Sequence, residues 1–159
     1  MTLELHHVTI DPLIRSLSLT ADDGRLVTIA GAKGSGKTTL LRAILGFLPI
    51  DGGHICIDGE LLTPLSAPYF RRFTADVPQR LSVPDDCRAV PTGYVELLRR
   101  AVESRKPLLL VDEPLEPLSP DQAAEAERLL RQATEQGSTV VAVNAGFANV
   151  QIRLGRNVE

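Results

Sequence analysis

Eight consecutive residues, Gly31-Ala32-Lys33-Gly34-Ser35-Gly36-Lys37-Thr38, satisfy the pattern GxxxxGK followed by Ser or Thr. That spacing suits the holding of a nucleotide phosphate. The glycines permit backbone conformations that other residues resist. Successive N–H groups then turn inward toward phosphate oxygens. A helix that opens directly afterwards adds favourable partial charge. In that arrangement Lys37 reaches the β- and γ-phosphates, and Thr38 offers its hydroxyl to Mg²⁺. The expected nucleotide-binding residues are Gly31, Ala32, Gly34, Ser35, Gly36, Lys37, Thr38 and Thr39. Taken alone, the pattern also fits an ordinary glycine-rich turn.

A second place for chemistry is LLLVDEP, residues 108–114. An apolar strand ending in Asp112-Glu113 puts two carboxylates at its carboxyl end, where open α/β sheets bind ligands. Asp112 is expected in the Mg²⁺ shell, and Glu113 is expected to polarise an attacking water. By itself the pair reads as a solvated strand end. The presence of a phosphate loop shifts the reading toward catalysis.

Hydrophobic periodicity supplies the elements that must position these groups. Residues 3–10 (LELHHVTI) and 16–20 (SLSLT) alternate as strands, with a turn at Asp22-Asp23-Gly24. Residues 25–30 (RLVTIA) form a buried strand feeding the loop, and residues 38–48 a helix with Leu41, Ile44, Leu45 and Leu48 on one face. Pro49 and Asp51-Gly52-Gly53 stop that helix. Residues 54–62 contain a turn at Asp58-Gly59, and Pro64 and Pro68 punctuate a connector. Residues 73–78 read as a short strand, 79–92 as loop and 94–104 as a helix. Ser119 caps a helix over 120–136, with Pro120 at its first position and Gly137 after its end. Residues 139–143 are a buried strand, and 150–154 an edge strand. Strands alternate with helices after residue 25, which predicts a mainly parallel sheet covered by helices on both faces. The beginning of the chain is more antiparallel in character.

Composition sets the bounds. The 159 residues suggest one domain, 1–159, with 43% apolar and 23% charged residues, an ordinary globular balance. A net charge of −3 argues against a broad nucleic-acid surface. Cys56 and Cys87 lack metal-ligand or disulfide-framework spacing. The start of the chain lacks a signal-peptide core, and LLRAILGFLPI is too short to span a bilayer. These features lead to the expectation of a cytoplasmic protein with no direct membrane insertion.

GAKGSGKTT, then Gln79 in ADVPQ, then LLLVDEP occur in an order that resembles the ATP-binding cassette (ABC) ATPase family. The resemblance covers nearly the whole chain. It takes in the opening strands, DGGHICIDGELL, and SPDQAAEAERLLRQATEQGSTVVAV. It implies an α/β P-loop NTPase fold with an N-terminal antiparallel β portion. It implies ATP and Mg²⁺ as cofactors, with Lys37, Gln79 and Glu113 catalytic and Thr38, Gln79 and Asp112 holding the metal. Gln79 takes its role from this resemblance, in which a glutamine senses the γ-phosphate and Mg²⁺. The implied function is an ATP-binding, ATP-hydrolysing subunit coupled to an integral membrane permease, in a homodimer or heterodimer at the inner face of the membrane.

The sequence also departs from the family pattern. HHVTIDPLIRSL holds no aromatic for adenine, and His7 reads as a strand-surface side chain. The LSGGQ signature is absent. Thr92 and Gly93 offer a weaker anion site before the corresponding helix, and Gln79 to Gly93 is too short for most of the family's helical subdomain. Ser119 stands where an aspartate is usual, and Asn144 and Ala145 where a Thr-His pair is usual. The retained residues serve one subunit's own nucleotide, whereas the altered ones serve a closed two-subunit state. Two further readings follow: a degenerate, nucleotide-responsive binding module with little turnover, and a small P-loop kinase. The DEP strand end, Gln79 and the absence of an Arg-rich lid argue against the kinase.

Overall fold

The structure, a computed structural model, describes residues 1–31, 34–78, 93–114 and 118–143, and residues 150–154 as backbone. Gln79, Ala32, Thr92, Asn144 and Ala145 lie outside the described residues. The chain opens with β1 (Leu3–Ile10) and β2 (Ile14–Ala21), followed by β3 (Leu26–Gly31) and α1 (Lys37–Ile44). β4 (Gly52–Ile57), β5 (Glu60–Leu61), α2 (Ala67–Arg71) and β6 (Thr74–Val77) come next. Then follow α3 (Tyr94–Glu103), β7 (Leu108–Val111), α4 (Pro120–Glu135), β8 (Thr139–Val143) and β9 (Val150–Leu154).

The strands form two sheets, one in the order β2-β1-β4-β5 and one in the order β6-β7-β8-β3-β9. All pairings in the first sheet are antiparallel, and all in the second are parallel. β9 takes the expected edge position beside β3. The turn between β4 and β5 has positive φ at both Asp58 (50°) and Gly59 (78°), as a two-residue hairpin requires.

The parallel sheet is buried on both faces, which accounts for its nearly unbroken apolar strands. Leu109, Val111, Val140 and Ala142 face α3 and α4 residues such as Leu98, Val102, Leu129 and Leu130. The other face, with Leu108, Leu110, Val141 and Val143, shares one core with α1 and with Leu3, Leu5, Ile55 and Ile57 of the antiparallel sheet. Helices were expected on both faces beside an antiparallel N-terminal portion, and this arrangement is found: one face takes α1 and Phe70 of α2 together with the antiparallel sheet, whose strands carry an apolar face of their own.

Two boundaries also differ from expectation. The helix expected over 38–48 ends at Ile44. Gly46 adopts φ 80°, its N–H donates to Ala43 O at 3.0 Å, and Phe47 N donates to Arg42 O at 3.0 Å. These bonds satisfy the last carbonyls in a Schellman motif before Pro49 is reached. The connector around Pro68 contains the short helix α2. Pro68 falls in its first turn, where a missing N–H costs nothing. α4 begins as expected: Ser119 Oγ accepts from Gln122 N, and Gln122 Oε1 accepts from Ser119 N, a complete capping box.

Candidate nucleotide-binding site

β3 and β7 run parallel, with β8 between them, so their carboxyl ends open on the same edge of the sheet. The phosphate loop leaves the end of β3 and re-enters the fold at α1. Gly36 is the residue before α1, with φ 99°. A Cβ there would stand 3.0 Å from Leu13 Cβ and 3.2 Å from Ile14 Cγ1. The loop is therefore seated on the start of β2, and only glycine fits. α1 has no side-chain cap and no acidic residue in its first turn. Its first N–H groups are left for an acceptor from outside the helix, the arrangement that binds anions.

Lys37 is 6% exposed, an unusual degree of burial for an ammonium group. Its Nζ donates to Gly31 O at 2.6 Å and pairs with Glu113 Oε1 at 3.2 Å. Thr38 Oγ1 donates to Asp112 Oδ2 at 2.8 Å, joining residues 74 positions apart. Asp112 is 4% exposed, and its Oδ1 accepts from Glu113 N at 2.9 Å. The loop and the strand-end carboxylates, separate in sequence, thus form one constellation. Thr39 lies in the first turn of α1 and is half-buried, and Gly34 is exposed in the loop.

Burial dominates the electrostatics of the carboxylates. Asp112 has its pKa raised, chiefly by burial and further by the neighbouring Glu113, although its hydrogen bonds from Thr38 and Glu113 N and the charge of Lys37 oppose this. Asp76 on β6 is also raised, by burial and by Asp112. Two carboxylates, Asp112 and Glu113, therefore share the charge of the buried Lys37, and Asp76 lies close enough to Asp112 to feel its charge. The Thr38 hydroxyl and the Asp112 carboxylate offer the hard oxygen donors that Mg²⁺ takes alongside substrate phosphates. Ser35 Oγ is buried in the loop with no hydrogen-bond partner among the described residues. A hydroxyl so placed suits a phosphate oxygen, since an unmet buried polar group is costly. The residues present fit a Mg²⁺-nucleotide.

Two contributors escaped the reading of the sequence. Tyr94, at the start of α3, donates its hydroxyl to Asp112 O and so holds the strand end that carries the carboxylates. Burial and the charges of Asp112 and Glu113 push its pKa well above the ordinary tyrosine range. Asp76 extends the negative field from the neighbouring strand β6. Neither residue lies in a local motif. A tyrosine opening a helix and an aspartate inside a strand carry no signal until the sheet is assembled.

Comparison with known proteins gives a consistent picture. The family profile described as ABC transporter matches residues 14–91. The chain is 31% identical to the zinc import ATP-binding protein ZnuC of Cereibacter sphaeroides over 87% of its own length and 70% of that protein's. It is 36% identical to the hemin import ATP-binding protein HmuV of Bordetella avium, over 54% of its own length and 34% of that protein's. A solved ATP-binding subunit of an ABC transporter superposes with a TM-score of 0.79 at 16% identity, covering 97% of this chain and 86% of that one. That last likeness concerns the fold. The sequence matches, taken with the Lys37–Glu113 and Thr38–Asp112 pairs, identify the chain as a member of the ABC transporter ATP-binding family, a nucleotide-binding subunit whose relatives are ATPases.

Proposed function

We propose that the chain binds ATP together with Mg²⁺ and hydrolyses it slowly. The observation that supports this reading is the Thr38–Asp112 hydrogen bond beside the Lys37–Glu113 ion pair, which brings a hydroxyl, two carboxylates and an ammonium together at one end of the sheet. Mg²⁺, when bound, neutralises charge on the phosphate oxygens. The chain's own part is to orient and to hold. Lys37 draws a phosphate toward the loop. Glu113, anchored through its N–H on Asp112, is the carboxylate that would accept a proton from water.

Turnover is expected to be slow. Ser119 caps α4 and offers no carboxylate where the family pattern has an aspartate, and Ala145 has no side-chain donor where that pattern has a histidine. Loss of one charge-stabilising donor typically costs about 10²–10³ in rate. The alternative, a nucleotide-responsive module without turnover, makes a different prediction. Steady-state phosphate release from the wild type should be measurable and should fall by about 10²-fold or more in Glu113→Gln, with nucleotide affinity retained. Equal background rates in both proteins would favour the module.

The proposed partner is an integral membrane permease, with the chain at the inner face of the membrane. A second nucleotide-binding subunit, identical or different, would supply the closing groups. No described helix is long and apolar enough to cross a membrane. Large apolar side chains are exposed around α2: Phe47, Leu65, Tyr69 and Phe73. Tyr69 packs edge-on against Phe73, and Arg71 lies over the Phe47 ring. Such a cluster is typical of a surface that meets another protein. Tyr69→Ser with Phe47→Ser should cut co-purification with the permease while leaving ATP affinity unchanged. Undiminished co-purification would place the contact elsewhere.

A further inference from the structure

The outer face of the antiparallel sheet carries a second group of donor side chains, sharing no residue with the phosphate site. Leu3, Leu5, Ile55 and Ile57 are buried, so the strand alternation puts Glu4, His6, His54 and Cys56 on the opposite face. The register sets His6 directly across from His54, and Glu4 directly across from Cys56. The result is a two-by-two block, because directly paired residues stand about 5 Å apart and successive ones on a face about 7 Å apart. The two imidazoles stack with ring centroids 4.6 Å apart and planes at 23°. One donor atom each from His6, His54 and Cys56 lies within 4.8 Å of the others. Glu4 Oε2 lies 3.0 Å from His6 Nε2.

We propose that His6, His54 and Cys56 form a site for a divalent transition-metal ion of the zinc class. Two imidazole nitrogens and a thiolate are the donors that such ions prefer, whereas Mg²⁺ takes oxygen. Bonds of ~2.0–2.3 Å require the three atoms to draw together by about 1 Å. Side-chain rotation on an open sheet face supplies that movement. The backbone beneath is fixed by the β1–β4 ladder, so the donors are presented from a rigid base. Glu4 accepts a hydrogen bond from His6 Nε2–H, which fixes the tautomer and leaves Nδ1 for the ion. Binding displaces the thiol proton of Cys56 to solvent. Three protein donors leave a fourth position for water or an outside ligand.

Titration of the reduced chain with Co²⁺ tests this. Wild type should develop the near-ultraviolet thiolate-to-cobalt absorption band, and equimolar Zn²⁺ should bleach it. Cys56→Ser should abolish the band, His54→Ala should weaken Co²⁺ binding at least tenfold, and Glu4→Gln should weaken it by about 10–100-fold. Cys87→Ser should leave the band intact. Co²⁺ held at Asp112 has no thiolate ligand, so it cannot produce the band. The Glu4, His54 and Cys56 side chains lie on the outer face of the sheet, and circular dichroism should show their variants folded. Absence of the band in wild type, its survival in Cys56→Ser or its loss in Cys87→Ser would overturn the proposal.

Discussion

Replacing Lys37 with alanine should lower ATP affinity by about 10–100-fold, the equivalent of one charge-assisted hydrogen bond of ~1.5–3 kcal/mol. The rate of phosphate release should fall by about 10²–10³ as well. The reasoning rests on where the ammonium is held. It is buried between Gly31 O and Glu113, at the start of α1. Its charge lies beside the Asp112 and Glu113 carboxylates. Without Lys37, an incoming triphosphate meets those carboxylates with that positive charge removed. The fold should survive, because Glu113 is partly exposed and stays open to water when the ammonium is removed. Titration with a fluorescent ATP analogue, alongside thermal unfolding, separates the two effects. An unchanged dissociation constant would mean that the loop does not hold phosphate through this residue.

Gly53→Ala should be the most damaging small substitution for stability, at roughly 3 kcal/mol. β1 carries one extra residue between the His6↔His54 and Thr9↔Gly52 pairs, a bulge at His7, which adopts φ 48°. Gly53 lies opposite with φ 74°, and a Cβ on it would come 2.2 Å from His7 O and 2.3 Å from His6 O. Those atoms belong to the backbone and cannot rotate away. The left-handed conformation costs about 1–2 kcal/mol for alanine, and overpacking adds about 1–3 kcal/mol. For a chain of this size the melting temperature should fall by roughly 6–12 °C. Gly59→Ala is the control. Gly59 has φ 78°, yet nothing lies within 4 Å of its added Cβ, so it should lose only the conformational part. Equal losses at both positions in thermal unfolding would refute the steric argument.

The bulge also links stability to the surface. It sits immediately beside His6 and His54, so the register that aligns the two imidazoles depends on Gly53 remaining glycine. A slip of one residue would move His6 to the opposite face of the sheet.

The phosphate loop and the strand-end carboxylates were legible in the sequence because each is a contiguous run with strict local spacing. A loop that cradles phosphate needs its glycines and its lysine within eight residues. The N-terminus of α4 was legible for the same reason: Ser119, Pro120 and Gln122 act through bonds spanning three residues. Apolar runs at 108–111 and 139–143 marked buried parallel strands because both faces of such a sheet are covered. Gly46 was read as part of a helix, since a glycine within a periodic stretch shows its φ only when the chain is built. α2 was missed because five residues are too few to display periodicity.

Tertiary structure alone decided what meets across distance. Thr38 reaches Asp112, and Tyr94 reaches the Asp112 carbonyl, only because β3 and β7 lie in one sheet with their carboxyl ends aligned. The His6–His54–Cys56 group depends on the register of two strands more than forty residues apart, and that register is set by a bulge and by the apolar faces beneath it. Local spacing determined which residues this protein has available for phosphate chemistry. Strand order and register, governed by burial rather than by neighbours in sequence, decided which of them stand together.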